Sequence, residues 1–466
     1  MGGQEQVRWH GDAVFWGALG VGVALRVLPM LVFGWTHADV GCTRDECIFR
    51  QVAEPILAGK GLGPSPRMWL SAPGMPYLMA ATAAVTGRLE AVKWLHVLLT
   101  LPMLASFHEV TRQAAGLKAA RWAVALLAVH PTLVFFAGTQ WAETVYVTLL
   151  GLLAWSTLWA REGGPRRGLL PGFLLGLTVL VRGVATYLAP VLLVALLLPR
   201  AGSTAWRARS RHAAALLVAL VLTVAPYSLV ASVRWGGLVI SDATLGHVMA
   251  LGNDDFEPVT FDYGNGQLTG RVYGATLMRG RADCPRRGGP VAHDRCEVQR
   301  SLRWIGRHPG TFLARVPERL AQLLNPHSFL TRQLRWHAWH GIPWALEELL
   351  VAFQACFTAL VVLGGTLGAW ARARGPVGAL TVGIVGYHVA VVAALYGLTR
   401  FRLPLEPLWI VWLAAVLAAP RDTVASLRAA PGRLVGAALS LPILLLLMAR
   451  YAWTGWPGLD VLLPWP

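Results

Sequence analysis

The sequence predicts an all-α polytopic membrane protein with about eleven transmembrane helices. Three observations carry this prediction. Of the 466 residues, 55% are hydrophobic and only 14% are charged, whereas an average soluble domain carries about 25% charged residues. Apolar runs that approach the length of a membrane span recur from one end of the chain to the other. The runs are continuous and rich in Leu, Ala and Val, which argues against a β-barrel, whose strands alternate with period two.

The apolar runs predict spans at residues 13–33, 92–108, 121–137, 141–160, 169–182, 183–199, 212–233, 345–370, 376–396, 402–419 and 432–450. The segment 169–198 could form one long helix or two short ones that meet at Arg182 and Gly183. Arginines flank it on both sides, so we expect the chain to cross outward and return. A full crossing needs about 20 residues, so one half could be broken or re-entrant. The run 75–85 is too short to cross and is expected at the membrane interface.

The charge distribution predicts the orientation of the chain. If the N-terminus lies inside, the short outer connections and the final helix end, apart from the two long outer loops, contain only Arg182, Arg400, Arg402 and Arg450. The short inner loops then contain fifteen basic residues, namely Arg112, Lys118, Arg121, Arg161, Arg166, Arg167, Arg200, Arg207, Arg209, Arg211, Arg372, Arg374, Arg421, Arg428 and Arg433. Short inner loops of membrane proteins are enriched in Lys and Arg. This bias accounts for most of the net charge of +17 and removes nucleic acid as an expected partner.

This orientation divides the chain into three parts. Residues 1–233 form an N-terminal transmembrane half that includes a first outer loop at 34–91, and we expect this half to be catalytic. Residues 234–344 form a large outer loop, and residues 345–466 form the C-terminal transmembrane helices. Both outer loops contain amphipathic stretches that predict helices lying on the membrane surface.

The cysteines favour an oxidising outer compartment. Four of the five lie in the outer loops, and Cys356 lies in a span. We favour a disulfide between Cys284 and Cys296, which would close a polar loop rich in Pro and Gly. A Cys42–Cys47 pair and four free thiols are the alternatives.

Three acidic side chains on the outer side are candidate catalytic residues. Asp45 and Glu46 stand where a helix is expected to begin that ends at Gly59, and Glu143 begins the fourth span. Acids in a first helical turn also complement the helix dipole, so a solvated helix start is the simpler alternative. An acid at an apolar span end is energetically unfavourable and tends to be functional. Two carboxylates at one face could divide the work of a base and of cation or donor binding.

Basic side chains on the same side are candidate phosphate ligands. Arg182, Arg400 and Arg402 belong to this face, and the planar guanidinium group can donate two parallel hydrogen bonds to phosphate. The alternative is that these arginines extend to the membrane interface, as Arg does at many span ends. Lys60 is a weaker candidate, because a solvated loop lysine explains it equally well.

The large outer loop offers a candidate sugar site at Asn253 and Asp254, in the sequence GHVMALGNDDFEP. Asn and Asp side chains hydrogen-bond hydroxyl groups well, but an ordinary turn would use the same residues. No complete set of metal ligands is evident. A divalent metal therefore remains a possible cofactor without assigned ligands.

The layout as a whole resembles the GT-C superfamily of polyprenyl-phosphate-dependent glycosyltransferases, in particular the branch of the protein O-mannosyltransferases, the lipid A aminoarabinose transferases and their bacterial relatives. The resemblance covers nearly the whole chain, and the order of its motifs carries it. These motifs are RDECIFRQVAEPILAGKGL, SAPGMPYLMAA, RWAVALLAVHPTLVFFAGTQWAETVYVTLL, GFLLGLTVLVRG, ALGNDDFEP, WIGRHPGTFLARVPERLAQLLNP and RFRLPLEPLWIVWLAA.

The resemblance implies an inverting transfer of a hexosyl or pentosyl group from a polyprenyl-phosphate donor, on the periplasmic side of a bacterial plasma membrane. It implies that Asp45 deprotonates or orients the acceptor, with Glu46 as its companion, and that Glu143 holds the acceptor, a metal or the donor. It also implies that Arg182, Arg402 and Arg400 bind the donor phosphate. The acceptor, which could be a glycan, a lipid or a protein, stays open.

Two other functions compete with this interpretation. A transporter or flippase of envelope lipids or glycans would predict charges near mid-span and repeat symmetry, and neither is evident in the sequence. A scaffold of envelope assembly would make the acidic residues incidental. Convergence of Asp45, Glu143 and Arg402 on one pocket is the spatial prediction that separates the transferase from both.

Overall fold

The computed structural model describes residues 9–32, 44–61, 70–199, 206–254, 259–260, 271–272, 284, 288–335 and 342–452. Its N-terminal part contains the helices α1 (Ala13–Val32), α2 (Arg44–Leu57), α3 (Gly74–Thr86), α4 (Val92–Leu98), α5 (Thr100–Ala115), α6 (Leu117–Ala128), α7 (Pro131–Ala137), α8 (Glu143–Ala160), α9 (Leu169–Val181), α10 (Ala189–Leu197) and α11 (Trp206–Trp235). Short 3-10 helices cover Trp9–Gly11, Leu89–Ala91, Pro165–Gly168, Gly183–Tyr187 and Thr399–Phe401.

The predicted large outer loop is also mainly helical. It contains α12 (Leu245–Gly252), α13 (Pro290–Arg307), α14 (Pro309–Ala314), α15 (Val316–Leu324) and α16 (Phe329–Arg335). Two short antiparallel strands, β1 (Val259–Thr260) and β2 (Arg271–Val272), pair between α12 and α13. The C-terminal part contains α17 (Trp344–Arg372), α18 (Gly375–Ala394), α19 (Glu406–Ala418), α20 (Pro420–Arg428) and α21 (Pro431–Ala452).

The predicted fold class, a polytopic helical membrane protein, is confirmed. Six helical segments in the described part of the chain are long and apolar enough to span a membrane, namely α1, 89–115, α11, α17, α18 and α21. Two bent pairs, α6 with α7 at 54° and α19 with α20 at 99°, raise this number to eight if each pair is one span. The predicted number of about eleven is therefore not confirmed.

The segment after residue 168 forms two short helices, one of the two alternatives that the sequence left open. Helix α9 ends at Val181, Arg182 is extended with φ −147° and ψ 118°, and the 3-10 helix Gly183–Tyr187 leads into α10. Glycines allow α9 to lie directly against α11. A Cβ on Gly172 would lie 2.2 Å from the carbonyl oxygen of Leu216. Small residues at such interfaces let two helix backbones approach closely in a membrane.

Arginines stabilise several helix ends at the predicted inner side. Arg161 at the end of α8 donates to the Leu198 carbonyl at 2.9 Å, and Arg209 donates to the Leu197 carbonyl at 2.7 Å. Arg372 at the end of α17 donates to the Ala419 carbonyl at 3.1 Å. The last carbonyls of a helix have no intrahelical partner and carry partial negative charge, so a guanidinium group satisfies both their hydrogen bonding and their dipole.

Candidate active site

Glu143 lies at the centre of a buried ion cluster at the predicted outer side. It is the first residue of α8, where the helix dipole favours a negative charge, and it is 0% exposed. Its Oε1 accepts a hydrogen bond from Nη2 of Arg182, and Nε of Arg400 lies 3.4 Å from the same oxygen. Its Oε2 is buried and has no hydrogen-bond partner among the residues that the structure describes. One carboxylate oxygen therefore gathers two arginines that are 218 residues apart in the chain.

Aromatic rings support both arginines. The guanidinium carbon of Arg182 lies 5.6 Å from the ring centroid of Tyr146, and that of Arg400 lies 4.6 Å from the ring centroid of Trp141. Attraction between a cation and an aromatic face stabilises both positions. Each arginine side chain is 16% exposed. The cluster is therefore partly open, and two guanidinium groups lie against the carboxylate of Glu143.

Glu46 connects the first outer helix to this cluster. Its Oε1 accepts a hydrogen bond of 2.7 Å from the backbone N–H of Gln140, three residues before Glu143. Lys93, which is also buried, interacts electrostatically with Glu46. Helix α2 begins at Arg44 and a turn at Gly59, with φ 71°, follows it, as the sequence predicted. The backbone of Asp45 therefore lies in the first turn of α2, beside the fastened Glu46, whereas its side chain lies outside the described part of the structure.

Arg402 does not join the other two arginines, so the predicted convergence of Asp45, Glu143 and Arg402 on one pocket is not met at Arg402, and its role as a phosphate ligand stays a prediction. It is 1% exposed, and its Nε lies 2.5 Å from Oε1 of Glu406. Its Nη1 donates to the backbone carbonyls of Leu323, at 3.1 Å, and Asn325. Glu406 also contacts His130 at 2.5 Å. Arg402 therefore fastens the end of α15 to the start of α19 and has no donor directed toward the cluster.

Asn253 and Asp254, the predicted sugar ligands, also bond to protein groups, and their role in sugar binding stays a prediction. The Asn253 amide donates to the carbonyl of Ala394 at 3.0 Å, and its oxygen accepts from Arg319 at 3.0 Å. The Asp254 carboxylate pairs with Arg300 at 3.3 Å. Both side chains are buried, so they fasten α12 to neighbouring helices.

Lys60, by contrast, is exposed in the turn after α2. Its solvated position favours the simpler of the two interpretations that the sequence allowed. Within the described ranges, its side chain makes no contact with the Glu143 cluster.

The structure also places a carboxylate that the sequence interpretation missed close to Gly183, the residue after Arg182. A Cβ on Gly183 would lie 2.3 Å from Oδ2 of Asp242. The Asp242 carboxylate accepts hydrogen bonds from Thr244 at 2.6 Å and from Ser241 at 3.1 Å, and burial raises its pKa above the ordinary value. The signal in the sequence was weak, because SDAT resembles any Ser/Asp turn.

Within the described residues, the structure bears on the predicted cysteine pairing and on the possible metal ligands. The structure joins Cys284 to Cys296 in a disulfide, the pairing that the sequence favoured, and Cys47 is also disulfide-bonded. Among the residues described, no group of three or more His, Cys, Asp and Glu side chains could hold a metal ion. A divalent metal stays a prediction without ligands, since the Asp45 side chain is outside this set.

Comparison with known proteins finds one family model that matches part of the chain and several solved structures with a similar fold. A model of the family described as dolichyl-phosphate-mannose-protein mannosyltransferase matches residues 70–228. This segment runs from α3 to α11 and includes Glu143 and Arg182. No curated protein matches the chain.

Among solved structures, the chain is similar to the archaeal oligosaccharyltransferase AglB from Archaeoglobus fulgidus, in a complex with an inhibitory peptide and a dolichol-phosphate. The TM-score is 0.53 at 17% identity, over 94% of this chain and 55% of AglB. A complex of the Archaeoglobus fulgidus oligosaccharyltransferase with Zn and sulfate gives a TM-score of 0.51 at 17% identity, over 94% of this chain and 53% of that one. ArnT from Cupriavidus metallidurans, bound to undecaprenyl phosphate, matches at a TM-score of 0.38 and 14% identity, over 89% of this chain and 78% of ArnT. The chain spans about half the length of the oligosaccharyltransferases, whose fold it shares. The family match and this shared fold confirm the resemblance to the GT-C superfamily that the sequence predicted.

Proposed function

We propose that this protein is a membrane glycosyltransferase that transfers a sugar, with inversion, from a polyprenyl-phosphate donor to an acceptor. The observation that carries the proposal is the gathering of Arg182 and Arg400 at Glu143. In this site the two arginines bind the donor phosphate and stabilise the negative charge that develops as the lipid phosphate leaves. The match to mannosyltransferases that use dolichyl phosphate, and the dolichol-phosphate in the AglB complex, support this choice of donor.

The acceptor approaches from the side of α2. The hydrogen bond between Glu46 and Gln140 holds the first turn of α2 beside the start of α8. Asp45 is therefore our candidate base, which deprotonates or orients the acceptor hydroxyl or amine. Glu143 acts chiefly as the counter-ion of the two arginines, because its Oε1 is engaged by both of them.

The reaction takes place on the outer side of the membrane, which is the periplasmic side in a bacterial plasma membrane. The support is the excess of arginine at the opposite end, where Arg161, Arg209 and Arg372 lie. The disulfide between Cys284 and Cys296 agrees with an oxidising compartment on this side. The prenyl chain would lie in lipid beside the site, so membrane lipids are partners as well.

Complementation of a deletion strain tests the proposal. We expect envelope glycans measured by mass spectrometry to lose a sugar in the deletion strain and to regain it with the wild-type protein. Asp45→Asn and Arg182→Gln should not restore the sugar, because each should lower the rate of transfer by at least about 100-fold. Arg428→Gln, which changes an exposed arginine at the opposite end, is the matched control and should restore it fully.

Two results would contradict different parts of the proposal. Unchanged glycans in the deletion strain would reject the glycosyltransferase. Full restoration by Asp45→Asn, at protein levels equal to wild type by immunoblot, would reject Asp45 as the base.

A further inference from the structure

Arg182 lies in the non-helical connection between α9 and the 3-10 helix Gly183–Tyr187, so no helix fixes its position. Its backbone there is extended. Irregular backbone at membrane depth persists only where neighbouring groups satisfy its hydrogen bonds. The elements that hold this connection therefore decide where the Arg182 guanidinium group points.

Two adjacent side chains of α18 contact groups that lie on either side of Arg182. The Tyr387 hydroxyl donates to the backbone carbonyl of Val184, two residues after Arg182. His388 hydrogen-bonds through Nε2 to the Tyr146 hydroxyl at 2.9 Å. The ring of Tyr146 in turn lies beneath the Arg182 guanidinium group, 5.6 Å from centroid to Cζ. Helix α18 therefore supports Arg182 in two ways. It holds the backbone that follows Arg182, and it holds the aromatic ring that lies beneath the Arg182 guanidinium group.

The direction of the hydrogen bond between His388 and Tyr146 follows from the second ring nitrogen. Nδ1 of His388 lies 2.8 Å from the carbonyl oxygen of Ile384, which can only accept. Nδ1 therefore carries the proton, and Nε2 accepts from the Tyr146 O–H. His388 is 5% exposed and Tyr146 is 0% exposed, so water does not compete for this bond. The position of the Tyr146 ring is accordingly fixed by α18.

A simpler explanation is that these residues only hold α8 and α18 together, since polar side chains often join helices in membranes. That role would place a polar pair anywhere along the two helices. Here Tyr387 and His388, which are adjacent in α18, instead contact the backbone after Arg182 and the ring beneath its guanidinium group. Buried polar residues within spans are unfavourable unless they serve a function.

We propose that His388 and Tyr387 are positioning residues that aim Arg182 at the donor phosphate. This inference rests on the proposed function. Neither residue touches the donor; each acts through Arg182, His388 by way of Tyr146 and Tyr387 by way of the Val184 carbonyl. Donor affinity therefore depends on the hydrogen-bond acceptor at position 388 and on the hydroxyl at position 387.

Titration of the protein in lipid nanodiscs with farnesyl phosphate, a short prenyl phosphate, tests this inference. His388→Leu, which removes the acceptor, should raise the Kd by about tenfold. His388→Gln provides a side-chain oxygen that can accept from Tyr146 and should keep the Kd within about threefold of wild type. Tyr387→Phe removes only a hydroxyl group and tests the second contact if His388→Leu does not fold.

A matched control and a double variant separate positioning from general stability. His212→Leu removes a buried histidine of α11 that bonds the Gly163 carbonyl at the other end of the protein; it should lower the melting temperature without changing the Kd. In Arg182→Gln, a further His388→Leu change should have no additional effect, because its only route to the donor is lost.

The outcomes distinguish this inference from the proposed function. If Arg182→Gln weakens binding and His388→Leu does not, or if Gln and Leu at position 388 weaken it equally, the positioning role is rejected and the phosphate site stands. If Arg182→Gln leaves the Kd unchanged, the phosphate site itself is rejected and the inference is rejected with it.

Discussion

Glu143 shows at the scale of a single residue how the candidate site maintains two like charges close together. Without the carboxylate, Arg182 and Arg400 would repel each other in a region with little water. With it, the three groups retain an excess of positive charge. A phosphate group has more acceptor oxygens than a carboxylate and can bind both guanidinium groups at once. Under the proposed function, the cluster therefore combines a stable arrangement without ligand and a binding site for the donor phosphate.

Replacement of Glu143 should expose this balance. Removal of one member of a buried ion pair destabilises a protein by about 3–5 kcal/mol, and the partial exposure of both arginines reduces that figure here. We expect Glu143→Gln to lower the melting temperature in detergent. We further expect farnesyl phosphate to raise the melting temperature of Glu143→Gln more than that of wild type, because the phosphate replaces the missing negative charge.

Glu109→Gln is the control for this experiment. Glu109 is a similarly buried acid that pairs with Arg112 at 2.8 Å, remote from the cluster. It should lose stability without gaining any additional response to farnesyl phosphate. An equal response in wild type and Glu143→Gln would show that the two arginines do not meet a phosphate.

The sequence predicted part of this cluster. Counting charges on each side of the membrane placed Glu143, Arg182 and Arg400 at one face, because orientation follows from loop composition. It could not separate Arg400 from Arg402, which stand two residues apart in TRFR. Their different roles depend on neighbours remote in sequence, such as the Asn325 carbonyl that takes the Arg402 guanidinium group. The support of Arg182 by α18 was hidden for the same reason.

Helix α9 shows at the scale of an element how close packing brings Arg182 to its place. Gly168, Gly172 and Gly176 stand four residues apart and face α11. A Cβ at these positions would lie 2.4, 2.2 and 2.5 Å from atoms of α11. The two helices therefore approach at backbone contact, and Arg182 follows directly after the end of α9. Displacement of α9 would move Arg182 with it.

We therefore expect Gly172→Ala to destabilise the protein by about 1–3 kcal/mol, the usual range for overpacking. Gly17→Ala on α1 is the matched control, since a Cβ at Gly17 meets nothing within 4 Å. Thermal unfolding in detergent measures the difference. Equal stability of the two variants would show that α9 and α11 are farther apart than the structure places them.

The sequence predicted the boundaries of helices well where residues close in sequence determine them. Helix α2 begins at an acidic turn and is followed by a glycine turn, and the arginines flanking residues 169–198 favoured the return path with a break at Arg182. The number of spans could not be predicted in this way. Apolar runs of similar length form a straight span in α18 and a bent pair in α6 and α7. Only contacts with the rest of the bundle, which leave no trace in hydropathy, distinguish these cases.

At the scale of the whole molecule, different sets of contacts lie at the two ends of the helical bundle. At one end, Glu46, Glu143 and Arg400 join α2, α8 and the turn before α19. At the other end, the carboxylate of Asp12, just before α1, pairs with Arg121 at 3.0 Å. Helix α17 connects the two ends: its 29 residues extend about 44 Å, more than the hydrocarbon thickness of about 30 Å.

This polarity predicts that Lys60 and Arg428 face opposite sides of the membrane, because Lys60 follows α2 and Arg428 ends α20, near the C-terminal end of α17. Single cysteines test it in a Cys356→Ser background, since Cys356 is the exposed free thiol of the described chain. In intact spheroplasts, a membrane-impermeant maleimide should label Lys60→Cys and leave Arg428→Cys unlabelled, and permeabilisation should expose both. The reverse pattern would place the arginine cluster on the cytoplasmic side. Labelling of both positions in intact spheroplasts would show that α17 does not cross the bilayer, and the candidate site would then lie on no defined side.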